Sequence, residues 1–315
     1  MAKVTGYTFT SADDVHTTIQ AIKWEPEEKD PVAVLQIVHG MQEYADRYSE
    51  FAEYLAQKGF VVFGHDHIGH GGSVSGPEDL GRMHCKRPDA VMVEDIYSNY
   101  KIIRQQYPDK PYFILGHSMG SYLLREYLSV RSADLSKVNG AVIMGTGSEK
   151  DAALIGGRIL CKLIMAFKGA DAGSDFINRL MFGKDYEGED ISDSWLSHNA
   201  DNVREFLDPS NTKRGGEFSL NGYMVLLRAT WFDNRMSNIR KMNMDIPVLF
   251  TSGDQDPVGN FGEGVRKAYD KFKEAGVKDL SIKLYEGDRH EILNELDRQN
   301  VYDDLYEWMS NRLVK

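Results

Sequence analysis

Short apolar runs recur along the chain at 32–38, 60–64, 111–115, 138–145 and 246–253, the length of strands rather than of buried helices. Because they are nearly unbroken instead of alternating, they predict strands covered on both faces, as in a parallel sheet. Segments with helical spacing of apolar positions lie between them, at about 47–57, 91–106, 121–128 and 265–275, and a last helical pattern at 297–313 follows a strand at 280–285. Near the start, 7–10 and 15–24 alternate apolar and polar residues about Asp13-Asp14, which predicts an antiparallel hairpin. This alternation predicts an α/β fold with a mostly parallel central sheet flanked by helices.

The rhythm breaks once. From 148 to 244 no buried-strand run occurs, and helical patches at 153–167 and 223–232 are separated by polar and glycine-rich connections. The expected organisation is therefore a core domain of residues 1–147 and 245–315, interrupted by an inserted helical cap at 148–244. The patch at 153–167 is apolar over most of its circumference apart from Arg158 and Lys162, so it is expected to bury more than one side, chiefly by packing within the cap.

Composition narrows the partners. With 42% hydrophobic and 27% charged residues, the 315-residue chain has the makeup of a globular protein. A net charge of −11 without any Lys/Arg block argues against a nucleic acid partner and against tight docking on anionic lipid. The opening Met1-Ala2-Lys3-Val4-Thr5 lacks the apolar stretch of a secretory signal, and no run reaches the roughly 18 apolar residues of a membrane span, so a cytoplasmic protein without stable membrane insertion is expected. Cys85 and Cys161 stand outside any ligand-like spacing and are expected as plain thiols.

The candidate chemistry sits where the strand at 111–115 meets the helix at 121–128: Gly116-His117-Ser118-Met119-Gly120. A G-x-S-x-G pattern between strand and helix is a nucleophile elbow, in which the flanking Gly116 and Gly120 permit a turn too tight for side chains. A serine hydroxyl is a poor nucleophile at neutral pH, so Ser118 needs a histidine base, and that histidine needs an acid to hold its tautomer. Acid candidates Asp254, Asp256 and Asp288 lie in the loops after 246–253 and 280–285, and His290 is the histidine that follows them. Asp256 is favoured over Asp254, which directly follows Gly253 and is placed to bend the loop. Backbone donors for a developing oxyanion are expected from Met119, at a helix N-terminus, and from Met41, in the His39-Gly40-Met41 turn.

These residues resemble a known family, the α/β-hydrolase superfamily serine hydrolases typified by monoacylglycerol lipases and bacterial lysophospholipases. The resemblance rests on His39-Gly40-x-x-Glu43 with Arg47-Tyr48, Asp66-x-x-Gly69-His70-Gly71-x-Ser73, the elbow, Gly253-Asp254-Gln255-Asp256-Pro257-Val258, and His290-Glu291 with Asn294-Glu295. It implies an α/β-hydrolase fold and a carboxylic ester hydrolase with Ser118, Asp256 and His290 as triad. It also implies Met41 and Met119 as oxyanion donors, no cofactor, and a small ester or monoacyl lipid (monoglyceride or lysophospholipid) as substrate under the cap. Two positions depart from the family pattern: Tyr44 stands where a histidine often follows the glutamate, and Ser121 where a glycine often follows the elbow.

Other readings compete. His65-x-His67-x-x-His70 has the spacing of a zinc-ligand cluster in metallo-hydrolases, although Gly69 occupies the position that usually carries an aspartate. A small-ester carboxylesterase and a non-catalytic binding protein of the same fold are the remaining alternatives.

Overall fold

The computed structural model describes residues 2–27, 30–182, 194–208, 210–214 and 217–313. Its strands are β1 (Ala2–Thr10), β2 (Thr18–Pro26), β3 (Ala33–Val38), β4 (Phe60–His65), β5 (Tyr112–His117), β6 (Val138–Met144), β7 (Val248–Gly253) and β8 (Leu280–Tyr285). They form one sheet in the order β1-β2-β4-β3-β5-β6-β7-β8. β1 and β2 make the expected antiparallel hairpin, β2 runs antiparallel to β4, and β4 through β8 are parallel. This is the α/β-hydrolase fold.

Every residue of β3, β4, β5 and β7 is buried, because alternate side chains enter two different cores. On one face Leu35, Val62 and Phe113 pack with Phe51 and Leu55 of α1 (Ser49–Gln57) and with Tyr302 and Leu305 near the C-terminus. On the other, Val34, Phe63 and Ile114 pack with Ile96 of α2 (Pro88–Gln106) and with Leu123 and Leu124 of α3 (Met119–Val130). The unbroken apolar runs thus reflect period-2 alternation between two covered faces. Pro88 opens α2, where its missing N–H and fixed φ suit the first helical position.

Between β6 and β7 the chain forms α4 (Asp151–Lys168), α5 (Asp175–Phe182), α6 (Ala200–Leu207), α7 (Leu220–Asp233) and α8 (Met236–Ile239). After β7 come α9 (Glu263–Ala275) and α10 (Arg298–Ser310), the latter carrying Tyr302 and Leu305. Tyr223, Met224 and Val225 of α7 and Cys161 of α4 join the core over α2 and α3, so the inserted helices share a hydrophobic core with the sheet.

One expectation fails at α4. Its deeply buried residues are Leu154 and Cys161, while Ile155, Ile159, Leu163 and Phe167 are 45%, 56%, 56% and 90% exposed. The helix buries a single face, and its apolar circumference leaves a stripe with i, i+4 spacing open to solvent. Apolar content therefore does not report how many sides are covered.

The two faces of α4 should respond differently to truncation. Leu154→Ala is expected to cost about 2–5 kcal/mol in urea unfolding, and Leu163→Ser to stay within about 0.5 kcal/mol of wild type. Equal losses would show that the outer stripe is covered in solution.

Candidate active site

The end of β5 sets the geometry. Ser118 has φ 52° and ψ −122°, a backbone state that L-residues rarely adopt, and α3 begins at the next residue. A Cβ on Gly120 would press into the main chain of Val38 and His39, and one on Gly116 would press into Gly120. Both flanking glycines are therefore demanded by close backbone approach. Ser121 ties the turn further, since its hydroxyl donates to the Ser118 carbonyl at 2.6 Å. The departure from glycine at 121 thus adds a hydrogen bond at the elbow.

Asp256 and His290 come from the loops after β7 and β8. Nδ1 of His290 lies 3.0 Å from Oδ2 of Asp256, and both residues are buried. The same carboxylate accepts the Ser252 hydroxyl at 2.8 Å and the Val258 N–H at 2.9 Å. Burial alone would raise this carboxyl, but the His290 ring and these donors together hold it below its ordinary value. Asp254 does a different job: its Oδ1 accepts the Gly287 N–H at 2.8 Å and pins the neighbouring turn. Asp288 is pushed up to about 7 by burial and then by the charges of Asp297 and Glu295. Of the three acid candidates, Asp256 is the one hydrogen-bonded to His290.

The His39-Gly40-Met41 turn closes against the elbow. A Cβ on Gly40 would stand 2.8 Å from that of Ser118, so only glycine lets this turn approach the serine. Gln42 follows in the left-handed region at φ 57°. Among the described residues neither the Met41 nor the Met119 N–H has an acceptor.

Behind the elbow lies a buried polar network to which the sequence reading assigned no role. Nδ1 of His117 is 2.8 Å from Oε1 of Glu43, and the Tyr48 hydroxyl donates to Oε2 of Glu43 at 2.7 Å. Nε2 of His117 faces the His290 carbonyl oxygen at 3.3 Å. Burial opposes charge on both partners of the His117–Glu43 pair, yet their mutual attraction outweighs it, holding His117 above and Glu43 well below their ordinary values. Beside them Arg47 donates to Glu291 at 2.7 Å and to Asn202 of α6 at 3.0 Å, joining the His290 loop to an inserted helix. The available signal was motif membership, since Glu43, Arg47, Tyr48 and Glu291 all fall in the stretches that carry the family resemblance.

The histidines at 65, 67 and 70 make separate local hydrogen bonds. His67 donates its main-chain N–H to Nε2 of His39 at 2.9 Å, Nδ1 of His70 meets the Ile68 carbonyl at 3.0 Å, and Nδ1 of His65 meets the Asn99 amide at 3.3 Å. Burial lowers His39 to about 4 and His65 and His70 to about 3, so they are kept neutral. Among the described residues no group of three or more His, Cys, Asp or Glu is placed to hold a metal ion.

Ser118 and His290 open onto one cavity of about 1070 Å³, lined by Leu154 and Gly157 of α4, Leu226 and Leu227 of α7 and Phe206 of α6, and by Gln42, Glu43, Arg214 and Glu291 among its polar residues.

A family model described as Hydrolase_4, serine aminopeptidase S33, matches residues 29–297. The chain belongs to this family. It is similar to the human monoglyceride lipase, at 26% identity over 302 residues covering 92% of this chain and 86% of that one. It also resembles the monoacylglycerol lipase of Mycolicibacterium smegmatis, at 25% identity and 92% coverage of both chains. Among solved structures, a thermostable carboxyl esterase from Bacillus coagulans in complex with glycerol superposes with a TM-score of 0.83 at 26% identity and full coverage of both chains. The protein is accordingly a serine hydrolase of esterase and lipase type. None of its described helices is long and apolar enough to cross a membrane.

The Glu43 pair gives this hydrolase a pH signature. Glu43 is held low in the folded protein, so its contribution is present above the unfolded carboxylate value of about 4.3 and is lost as pH falls through the folded one. His117 is held high by the same pair, so its contribution is fully present below the unfolded histidine value of about 6.5 and is lost as pH rises through the folded one. The stability difference between wild type and Glu43→Gln, from urea unfolding, should therefore be largest between about pH 4.3 and 6.5 and shrink on either side of that window. A difference independent of pH would mean that the pair carries no charge.

Proposed function

We propose that this hydrolase cleaves the ester bond of monoacyl lipids, such as monoglycerides or lysophospholipids, through an acyl-enzyme on Ser118. The observation that carries this reading is one cavity of about 1070 Å³ lined by Ser118 and His290 together with the apolar residues Leu154, Leu226 and Leu227. That volume lies just above the roughly 300–1,000 Å³ usual for small-molecule sites, ample for an acyl chain. The monoglyceride and monoacylglycerol lipases among the relatives support the same substrate class.

In this mechanism His290 takes the Ser118 proton as the hydroxyl oxygen attacks the ester carbonyl. The carbonyl oxygen becomes an oxyanion, and the N–H groups of Met41 and Met119 receive it. Collapse breaks the bond to the alcohol, which leaves with the proton held by His290. Water, deprotonated by the same histidine, then attacks the acyl-serine; the bond to Oγ breaks, His290 returns the proton to the Ser118 oxygen, and the fatty acid is released. Asp256 holds His290 in the tautomer that presents Nε2 to the serine and stabilises the imidazolium that forms. Residues 148–244 act as a cap: Leu154 and Gly157 of α4 and Leu226 and Leu227 of α7 shield the acyl chain from water.

A fluorophosphonate probe should label wild type at Ser118, and Ser118→Ala should abolish both labelling and ester hydrolysis. Asp256→Asn is expected to lower kcat by about 10³–10⁴, whereas Asp254→Asn should act mainly on stability by loosening the Gly287 turn. Equal kcat losses in the two would overturn the choice of acid. Across a p-nitrophenyl ester series kcat/KM should rise from acetate to medium chains. A maximum at acetate would favour a small-ester carboxylesterase.

A further inference from the structure

The cavity lining carries a charge that no described group neutralises. Arg214 lines the cavity with its Nε buried, and among the described residues it has neither a hydrogen-bond acceptor nor a carboxylate partner. Its Cζ lies 4.3 Å from the centroid of Phe206, a contact that a delocalised cation makes with a ring while its N–H groups remain available. A second cation stands by the same ring, the Cζ of Arg47 lying 5.1 Å from its centroid. Burial, and then the like charge of Arg47, push Arg214 below its ordinary value, which shows a guanidinium without local compensation.

The neighbouring charges are already committed. Arg47 is matched by Glu291 at 2.7 Å, and Glu43 by His117 at 2.8 Å. Glu149 and Glu205 are exposed to solvent, and so is Arg179, the other arginine of the cavity lining among the described residues. Once these pairs cancel, Arg214 is the half-buried positive charge left over on this wall. An unpaired charge out of full contact with water is unfavourable, and an incoming oxyanion relieves it with directional, charge-assisted hydrogen bonds. With the acyl chain against Leu154, Leu226 and Leu227, as in the proposed function, the group left to meet Arg214 is the alcohol.

We propose that Arg214 forms an oxyanion subsite for the leaving alcohol, making the preferred substrates monoacyl esters whose alcohol carries a phosphate or a carboxylate. This inference rests on the ester-hydrolase reading above. A planar guanidinium suits either group, because both offer paired oxygens to its parallel N–H donors.

The test compares three esters of one eight-carbon acyl chain: the neutral 1-acylglycerol, its 3-phosphate, and an acylated hydroxy acid with a free carboxylate. Wild type should favour at least one anionic ester over the neutral one by about tenfold or more in kcat/KM, mainly through KM, as expected for one charge-assisted contact. Whichever anionic ester is preferred identifies the source of the oxyanion. Arg214→Gln should collapse that ratio, and Arg214→Lys should restore part of it. Equal kcat/KM for all three esters, or a ratio unchanged in Arg214→Gln, overturns the proposal, as does loss of the ratio in Arg179→Gln alone.

Binding without turnover gives an independent readout. Glycerol 3-phosphate and glycerate should be tested for raising the Tm of wild type, and at least one should do so while leaving that of Arg214→Gln unshifted. Equal shifts, or none, in both proteins contradict the subsite. A chain that hydrolyses neither these esters nor short p-nitrophenyl esters, yet shows the Arg214-dependent Tm shift, would instead overturn the ester-hydrolase reading and leave the anion site standing.

Discussion

The site depends on one close approach of backbone to backbone. Where α3 leaves β5, the main chain at Gly120 lies against that of Val38 and His39, with no room for a side chain. That contact lets the chain reverse sharply enough to hold Ser118 at φ 52°, lifted clear of the sheet. Such a conformation costs about 1–3 kcal/mol and persists only because the surroundings over-determine it. Here the surroundings are β3 and β5, buried on both faces, and the Ser121 hydroxyl on the Ser118 carbonyl. The approach also brings the Gly40 turn beside the serine, so nucleophile and candidate oxyanion donors are set by the same packing event.

Around this point the protein buries charge against hydrogen-bonding partners. Glu43 with His117 and Arg47 with Glu291 are ion pairs, and Asp256 is hydrogen-bonded to His290; each pair joins elements distant in sequence. Buried ion pairs contribute little net stability, because desolvation offsets most of the attraction, but breaking one leaves a lone charge and is severe. Their physical effect is to make the relative positions of four loops an all-or-none arrangement. His117 shows this most plainly: it sits inside the elbow, binds Glu43 from the Gly40 turn through one nitrogen, and faces the His290 carbonyl through the other. The ring that carries the proton is thus backed by a second histidine whose charge is held by a carboxylate.

Much of this was legible in the chain. Unbroken apolar runs marked the parallel strands because each is covered on two faces, and the elbow was visible because its glycines are steric necessities. The order Ser118, Asp256, His290 could be read because each follows a strand whose carboxyl end faces the same edge. Other features left no such trace. The order of strands, with β4 between β2 and β3, depends on pairings that local patterns do not encode. The Glu43–His117 bond spans 74 residues, and nothing in either local stretch names the other. The exposed stripe of α4 was misjudged because periodicity reports which residues are apolar and not what lies opposite them. Nothing in the local sequence around Arg214 marks it; the fold sets it in the cavity lining near Phe206 and Arg47.

The central claim is that Ser118 attacks with His290 as its base while the Met41 and Met119 amides hold the oxyanion. A crystal structure of the protein after reaction with an alkyl phosphonate tests it most directly. The account predicts phosphorus bonded to Oγ of Ser118, one phosphoryl oxygen within hydrogen-bond distance of both amides, and the alkyl chain along Leu154 and Leu227. An adduct on another residue, or a phosphoryl oxygen turned away from both amides, would contradict it.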